Sequence, residues 1–161
     1  MSSIIENKKA YFDYEIIDKW EAGIKLIGHE VKSVKAGKAS IVGSYVKIID
    51  GEAYIIGMKI DEYQNSSTSL IDERTRTRKL LLNKTELKKL IKQTEEKGLT
   101  IVPLSLYIKN RPARSTSSTA SVGGWIKISI GVGRGKKKAD KRETLKKRTI
   151  ERDIRREYST R

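Results

Sequence analysis

The side chains with chemistry to offer fall into three clusters, and all three are basic. Thr75-Arg-Thr-Arg-Lys-Leu-Leu-Leu-Asn83, with Arg74 ahead of it, sets Arg74, Arg76, Arg78 and Lys79 just before a helical stretch. In an extended segment the three arginines alternate onto one face. Guanidinium forks suit phosphate contacts, though the same pattern fits a solvated edge strand guarded by charge. Glu30-Val-Lys-Ser-Val-Lys-Ala-Gly-Lys38 spaces Lys32, Lys35 and Lys38 by three, as a basic ridge or an ordinary wet helix face. Gly131-Val-Gly-Arg-Gly-Lys-Lys-Lys138 resembles a phosphate cradle. A nucleotide-hydrolysing loop needs a glycine five residues before Gly-Lys and a hydroxyl after the lysine, whereas Ile130 and Lys137 occupy those places. The run reads instead as a flexible hinge opening a basic arm. Glu21, between Trp20 and Ala22-Gly23, could receive nucleic-acid hydroxyls or base donors, or pair with a cation of the core.

Composition excludes much of the remaining chemistry. The 161 residues contain no Cys and one His, His29. That removes disulfides, thiolate metal sites, cysteine nucleophiles and any site that needs two imidazoles. The carboxylates show no metal-ligand spacing, so neither a metal nor a cofactor is expected, and an enzyme reading has no support. The formal charge of +15 points to a polyanion, nucleic acid before an acidic membrane surface. Met1–Glu6 lacks the apolar core of a signal peptide, and no run approaches the ~20 apolar residues of a membrane span. A soluble cytoplasmic protein is expected.

The charge is unevenly placed. Residues 131–161 hold 13 Lys and Arg against 5 Asp and Glu, about half the net excess in a fifth of the chain. Ile150, Ile154 and Tyr158 recur every four residues, and Glu143/Lys147 and Glu151/Arg155 are favourable helical pairs. The apolar stripe is too thin to order the segment alone. The expectation is a tail, disordered alone, that becomes helical against a partner.

Residues 1–130 read as mainly β with short helices. Tyr11–Ile17 and Ile24–Ile27 look like strands, and Gly28–Ala36 like a short helix. Two β-branched runs flank Asp50-Gly51, the turn pair of a hairpin over Ser44–Met58. A second helix starts at Asn83, with Glu86 completing a capping box, and ends at Gly98. Leu99–Ile108 and Trp125–Val132 give two more strands, joined by a Ser/Thr/Gly-rich loop over 111–124. Six or so short strands with two or three helices suggest a small closed antiparallel barrel of the oligonucleotide-binding type.

The order of certain motifs then carries a resemblance. Asn7-Lys-Lys-Ala10, Glu21-Ala-Gly-Ile-Lys-Leu26, Gly28-His-Glu-Val-Lys-Ser33, Arg76-Thr-Arg-Lys-Leu-Leu-Leu-Asn83, Leu104-Ser-Leu-Tyr-Ile-Lys109 and Gly135-Lys-Lys-Lys-Ala-Asp-Lys-Arg142 occur in sequence. Together they closely resemble the SmpB (SsrA-binding protein) family of bacterial trans-translation. The resemblance implies a barrel, residues 1–130, that binds the tRNA-like domain of transfer-messenger RNA. It implies delivery of that RNA to stalled 70S ribosomes for rescue and tagging of the nascent peptide. A tail, 131–161, would occupy the mRNA channel near the decoding centre, against small-subunit RNA. Elongation factor Tu and alanyl-tRNA synthetase are implied as indirect partners.

The family's RNA surface matches Asn7, Tyr14, Glu21, Leu81 and Asn83, to which charge adds Lys32, Arg76, Arg78 and Lys79. The tail signature matches Gly135, Lys136, Lys137, Asp140, Lys141 and Arg142, with Lys138 beside them. Two departures stand out. Ala139 replaces the His or Tyr many relatives carry, which shifts contribution to Lys138 or Arg142. The 111–124 loop is longer than the family's usual hairpin connection, an insertion a surface loop tolerates.

Overall fold

The computed structural model describes residues 3–62, 74–109 and 124–159, without the side chains of residues 96, 97, 138–141, 144 and 157–159. The elements run β1 Ser3–Glu6, α1 Lys8–Asp13, β2 Tyr14–Ile24, α2 Gly28–Lys35, β3 Ala39–Ser40, β4 Tyr45–Ile49, β5 Glu52–Ile56, β6 Lys59–Ile60, β7 Arg78–Leu81, α3 Lys84–Lys97, β8 Thr100–Lys109, β9 Trp125–Gly135 and α4 Lys138–Ser159. The 111–123 part of the long loop lies outside the described residues.

The expected mainly-β architecture is present. Six strands close a ring in the order β8, β4, β5, β7, β2, β9, with β9 pairing back onto β8 and all pairs antiparallel. The second half of β8, freed from β4, takes β1 along its outer edge. Closure leaves the ring without an open edge. Its inward residues form one core that includes Ala22, Ile55, Leu80, Leu106, Ile128 and Ile130, sealed below α3 by Leu90.

Local chemistry explains the elements. Asp50 and Gly51 both take positive φ, 51° and 73°, in the two-residue turn between β4 and β5. That backbone twist matches the twist of paired strands, and few residue pairs accept it so readily. The helix beginning after Asn83 ends at Gly98 in the left-handed conformation.

Two expectations are corrected. Tyr11–Asp13 is helical, not the start of a strand. The Asn7 side chain accepts a bond from the Ala10 amide at 3.2 Å, capping α1 and pulling those residues into its turn. Strand β2 then runs unbroken to Ile24, so the second expected strand, Ile24–Ile27, is its end and the connection beyond it.

The body also does not end at residue 130. Strand β9 continues to Gly135, pairing Gly131 and Val132 with both β2 and β8 and Gly135 with Tyr14. The glycines that suggested a hinge allow close approach instead. A Cβ on Gly133 would lie 2.7 Å from the Glu15 carbonyl oxygen, and one on Gly131 2.9 Å from Leu104 Cδ1. The arm therefore starts after Gly135.

Its helix, α4, exposes every side chain described within it, including Ile150 and Ile154. So the tail is helical but is not a layer of the globule. A helix with no buried face has little beyond its own backbone bonds to hold it.

The glycine packing gives a test. Gly133→Ala forces backbone from backbone and should cost about 1–3 kcal/mol in urea unfolding. Gly135→Ala meets nothing within 4 Å and should stay within about 0.5 kcal/mol of the parent. Equal effects at both positions would contradict the close-packing account.

Candidate nucleic-acid interface

Three adjacent strands set an outward face that carries Glu21, with Leu81 on the strand beside it. Opposite one another across β2, β9 and β8 lie Glu21, Ser129 and Ser105, then Gly23, Lys127 and Tyr107, then Trp125 and Lys109. The period-two alternation of each strand turns these side chains outward while Ile126, Ile128 and Leu106 point into the core.

Glu21 reaches diagonally over β9. Its carboxylate accepts from the Tyr107 hydroxyl and from Lys109 Nζ at 2.9 Å. The Tyr107 bond first, then Lys109, hold the Glu21 carboxyl below the usual carboxylate range. Partial burial and the neighbouring carboxylate push the Tyr107 phenol up. Glu21 is thus ionised at neutral pH and already serves as an acceptor for the adjacent strand. Of the two roles left open for it, the cation partner is present, at the surface rather than in the core.

Beside this triad runs an apolar groove of about 460 Å³, lined by Gly23, Leu26, Val31, Leu81, Trp125 and Lys127 among others. Trp125 is 55% exposed and Leu81 52%. Lys127 Nζ sits 5.8 Å from the centre of the Trp125 ring. An indole face with a cation over it, next to a further lysine, is a surface on which a base can stack while phosphates are met. Leu81 stands opposite Gly23, whose missing side chain leaves the groove open.

Glu21 and Leu81 therefore share one face. Asn83 lies two residues beyond Leu81, exposed at the start of α3, where its backbone amide donates to Glu86 Oε2 at 3.1 Å. Lys79 faces outward on β7 and pairs with Glu52 at 3.2 Å. Lys32 is exposed on α2. Tyr14 is half-buried at the far end of β2, about 20 Å from Glu21 by strand rise.

Two of the expected surface residues are not on the surface. Asn7 is 3% exposed. A bulge in β8 between Pro103 and Ser105 turns carbonyls aside, and Asn7 takes both: Nδ2 donates to Pro103 O at 2.9 Å and its backbone amide to Leu104 O at 2.8 Å. Arg78 is wholly buried. Its Nε and Nη2 each lie 3.2 Å from Glu30, and Nη1 donates to Met58 O at 2.9 Å. Arg76 completes the clamp on Glu30 from the half-exposed side, at 2.8 and 3.0 Å. The alternation that places Arg76 and Arg78 on one face is real, but that face meets a buried carboxylate of α2 instead of phosphate. Arg74, on the same side, pairs with Glu62 at 3.0 Å.

Burial alone would raise the Glu30 carboxyl; the hydrogen bonds and charges of Arg76 and Arg78 outweigh it and hold it below its ordinary 4.5. The residues that sequence reasoning missed are Tyr107, Lys109, Trp125 and Lys127. The signal available was the outward alternation Ser105, Tyr107, Lys109 on one strand and Trp125, Lys127, Ser129 on the next.

In the arm, Gly135 belongs to β9. The Lys136 amide donates to Asp13 O at 2.9 Å and its Nζ to Tyr11 O at 3.1 Å, tying the arm's root to the end of α1. Lys137 and Arg142 are exposed. The backbones of Lys138, Asp140 and Lys141 lie in α4, and their side chains lie outside the described residues. Among the described residues there is no group of acids and histidines that could hold a metal, and no helix long and apolar enough to cross a membrane.

The Glu30 clamp makes a stability prediction. Glu30→Gln leaves Arg78 buried without its counter-charge and should cost about 3–5 kcal/mol. Because the folded-state carboxyl titrates lower than the unfolded one, its contribution is full above about pH 4.5 and fades as pH falls through the folded value. Urea unfolding from pH 7 to 3 should show the gap between parent and variant shrinking with acid. A gap that stays constant would contradict the clamp.

Comparison with known proteins places this arrangement. A family model described as SmpB protein matches residues 4–160. An SsrA-binding protein of Microcystis aeruginosa is 48% identical over 151 residues, covering 94% of this chain and 90% of the relative. One from Gloeothece citriformis is 46% identical over 153 residues, covering 95% and 90%. Among solved structures, a chain from "tmRNA-SmpB: a journey to the center of the bacterial ribosome" is 41% identical with a TM-score of 0.62, covering 88% of this chain and 93% of that one.

Proposed function

This chain belongs to the SmpB family, and from that premise we propose that it is an RNA-binding adaptor of trans-translation. It binds transfer-messenger RNA and brings it to stalled ribosomes, so that the ribosome is rescued and the unfinished peptide tagged. Work of this kind needs grip and placement, not bond chemistry, and the protein acts without catalysis. It acts in the cytoplasm, where ribosomes translate. Elongation factor Tu and alanyl-tRNA synthetase are met through the RNA and not through this chain.

The observation that carries the reading is the face shared by β2, β9 and β8. Trp125, Lys127 and Lys109 stand together there beside an open apolar groove. That combination suits a folded RNA that presents an unstacked base next to its backbone. We assign the barrel, through Gly135, to the tRNA-like domain, with Glu21, Leu81 and Asn83 on its RNA surface and Tyr14, Lys32 and Lys79 at its margins. Asn7, Arg76 and Arg78 serve the barrel's own structure instead, through the α1 cap and the Glu30 clamp. The helix from Lys138, with Lys136, Lys137 and Arg142 around its root, is assigned to the mRNA channel and decoding centre, where phosphates offset its charge. The exposure of its described side chains favours this division, because such a helix is free to take a new partner.

One titration tests both assignments. Binding of the tRNA-like domain is measured across a salt series for the parent, for Trp125→Ala and for a chain truncated after Lys137. About four phosphate contacts give the parent a log–log slope near −3 to −4. Trp125→Ala, at an exposed position, should weaken binding by about tenfold or more with the fold kept. Truncation should leave binding within about tenfold yet abolish peptide tagging on stalled ribosomes. A flat salt response, an unchanged Trp125→Ala or loss of RNA binding on truncation would each contradict the corresponding assignment.

A further inference from the structure

We propose that the cleft between α1 and the tail helix α4 is a binding site for the phosphodiester backbone of a folded RNA, and that filling it fixes the angle at which the tail leaves the barrel. The proposal rests on the adaptor reading above and adds to it a site shared between body and tail.

The cleft encloses about 490 Å³ and is lined by Lys8, Tyr11, Arg148, Glu151, Arg152 and Arg155. Four cations thus face one carboxylate. Arg148, Arg152 and Arg155 stand at i, i+4 and i+7, one face of α4 climbing by about 5.4 Å per turn. That face is turned to α1, because the Arg148 guanidinium lies 5.7 Å from the centre of the Phe12 ring. The root of the tail is fixed by Lys136, bonded to the Asp13 and Tyr11 carbonyls at the end of α1. Beyond that root, the contact between exposed Arg148 and half-buried Phe12 is a cation–π pair, weak enough for the helix angle to change.

The arrangement is therefore anchored at one end and self-repelling along its length: Lys8 on α1 looks across at three arginines on α4. An anion between them reverses the sign of that interaction. A row of guanidinium forks at one-turn spacing matches successive phosphates better than isolated carboxylates. Tyr11, 40% exposed in the cleft wall, adds a ring and hydroxyl for sugar or base. The chemistry favours RNA over an acidic peptide, and it is shared by the tRNA-like domain and small-subunit RNA.

The chain has no cysteine, so spin labels can be placed cleanly by Lys47→Cys on the barrel and Lys146→Cys on the tail, both exposed positions. The distance distribution between them is measured on the full chain alone, with a tRNA-like-domain transcript, with small ribosomal subunits and with poly-glutamate. At least one RNA should narrow the distribution by twofold or more, and which one does so identifies the source of the phosphates. Combining Lys8→Gln, Arg152→Gln and Arg155→Gln should abolish the narrowing, while Arg152→Lys with Arg155→Lys should keep it. Bound RNA that leaves the distribution unchanged, narrowing that survives the glutamine substitutions, or equal narrowing by poly-glutamate would overturn the cleft while leaving the adaptor reading intact. Failure of any RNA to bind the chain would overturn both.

Discussion

Everything functional in this molecule depends on β9 being held from both sides. Its pairing with β2 along one edge and β8 along the other closes the barrel. The same register delivers Trp125 and Lys127 between Glu21 on one neighbour and Tyr107 and Lys109 on the other. Two glycines make that double pairing sterically feasible, because side chains at 131 and 133 would collide with Leu104 and with the Glu15 backbone. The strand then ends beside α1, where Lys136 fixes the place from which the tail departs. Barrel closure, the aromatic-cation face and the origin of the arm are three results of one strand's position.

Charge is used in two ways. Some cations are spent inside the protein. Arg78 has no exposed surface, and with Arg76 it neutralises Glu30 and so ties α2 to β7. Such a pair contributes less to net stability than its geometry suggests, since both ions were stripped of water. Its stronger effect is to specify how the helix sits on the barrel. Other cations remain at the surface, on the β9–β8 face and along α4, where water and salt screen them and phosphates can reach them directly. A formal +15 cannot distinguish the two uses.

That difference marks how far the sequence could be read. The Asp50-Gly51 turn and the Asn83-to-Gly98 helix were legible because their signals are local: a turn pair, a capping box, a terminating glycine. The ordered motifs made the family legible. The end of the body was not, since glycines in a strand look like glycines in a hinge until a neighbouring backbone is seen against them. Arg78 and Asn7 were not legible as buried residues, because their partners are far away in the chain: Glu30 is 48 residues from Arg78, and Pro103 is 96 from Asn7. Trp125 was hidden for the same reason. Its role comes from the strands that β9 lies between.

The most direct measurement is lysine footprinting of the full chain bound to the tRNA-like domain of transfer-messenger RNA. The account predicts that Lys109 and Lys127, on adjoining strands of the barrel, lose reactivity while Lys146 and Lys147, out on the tail helix, keep it. Protection of the tail lysines with the two strand lysines left reactive would contradict it.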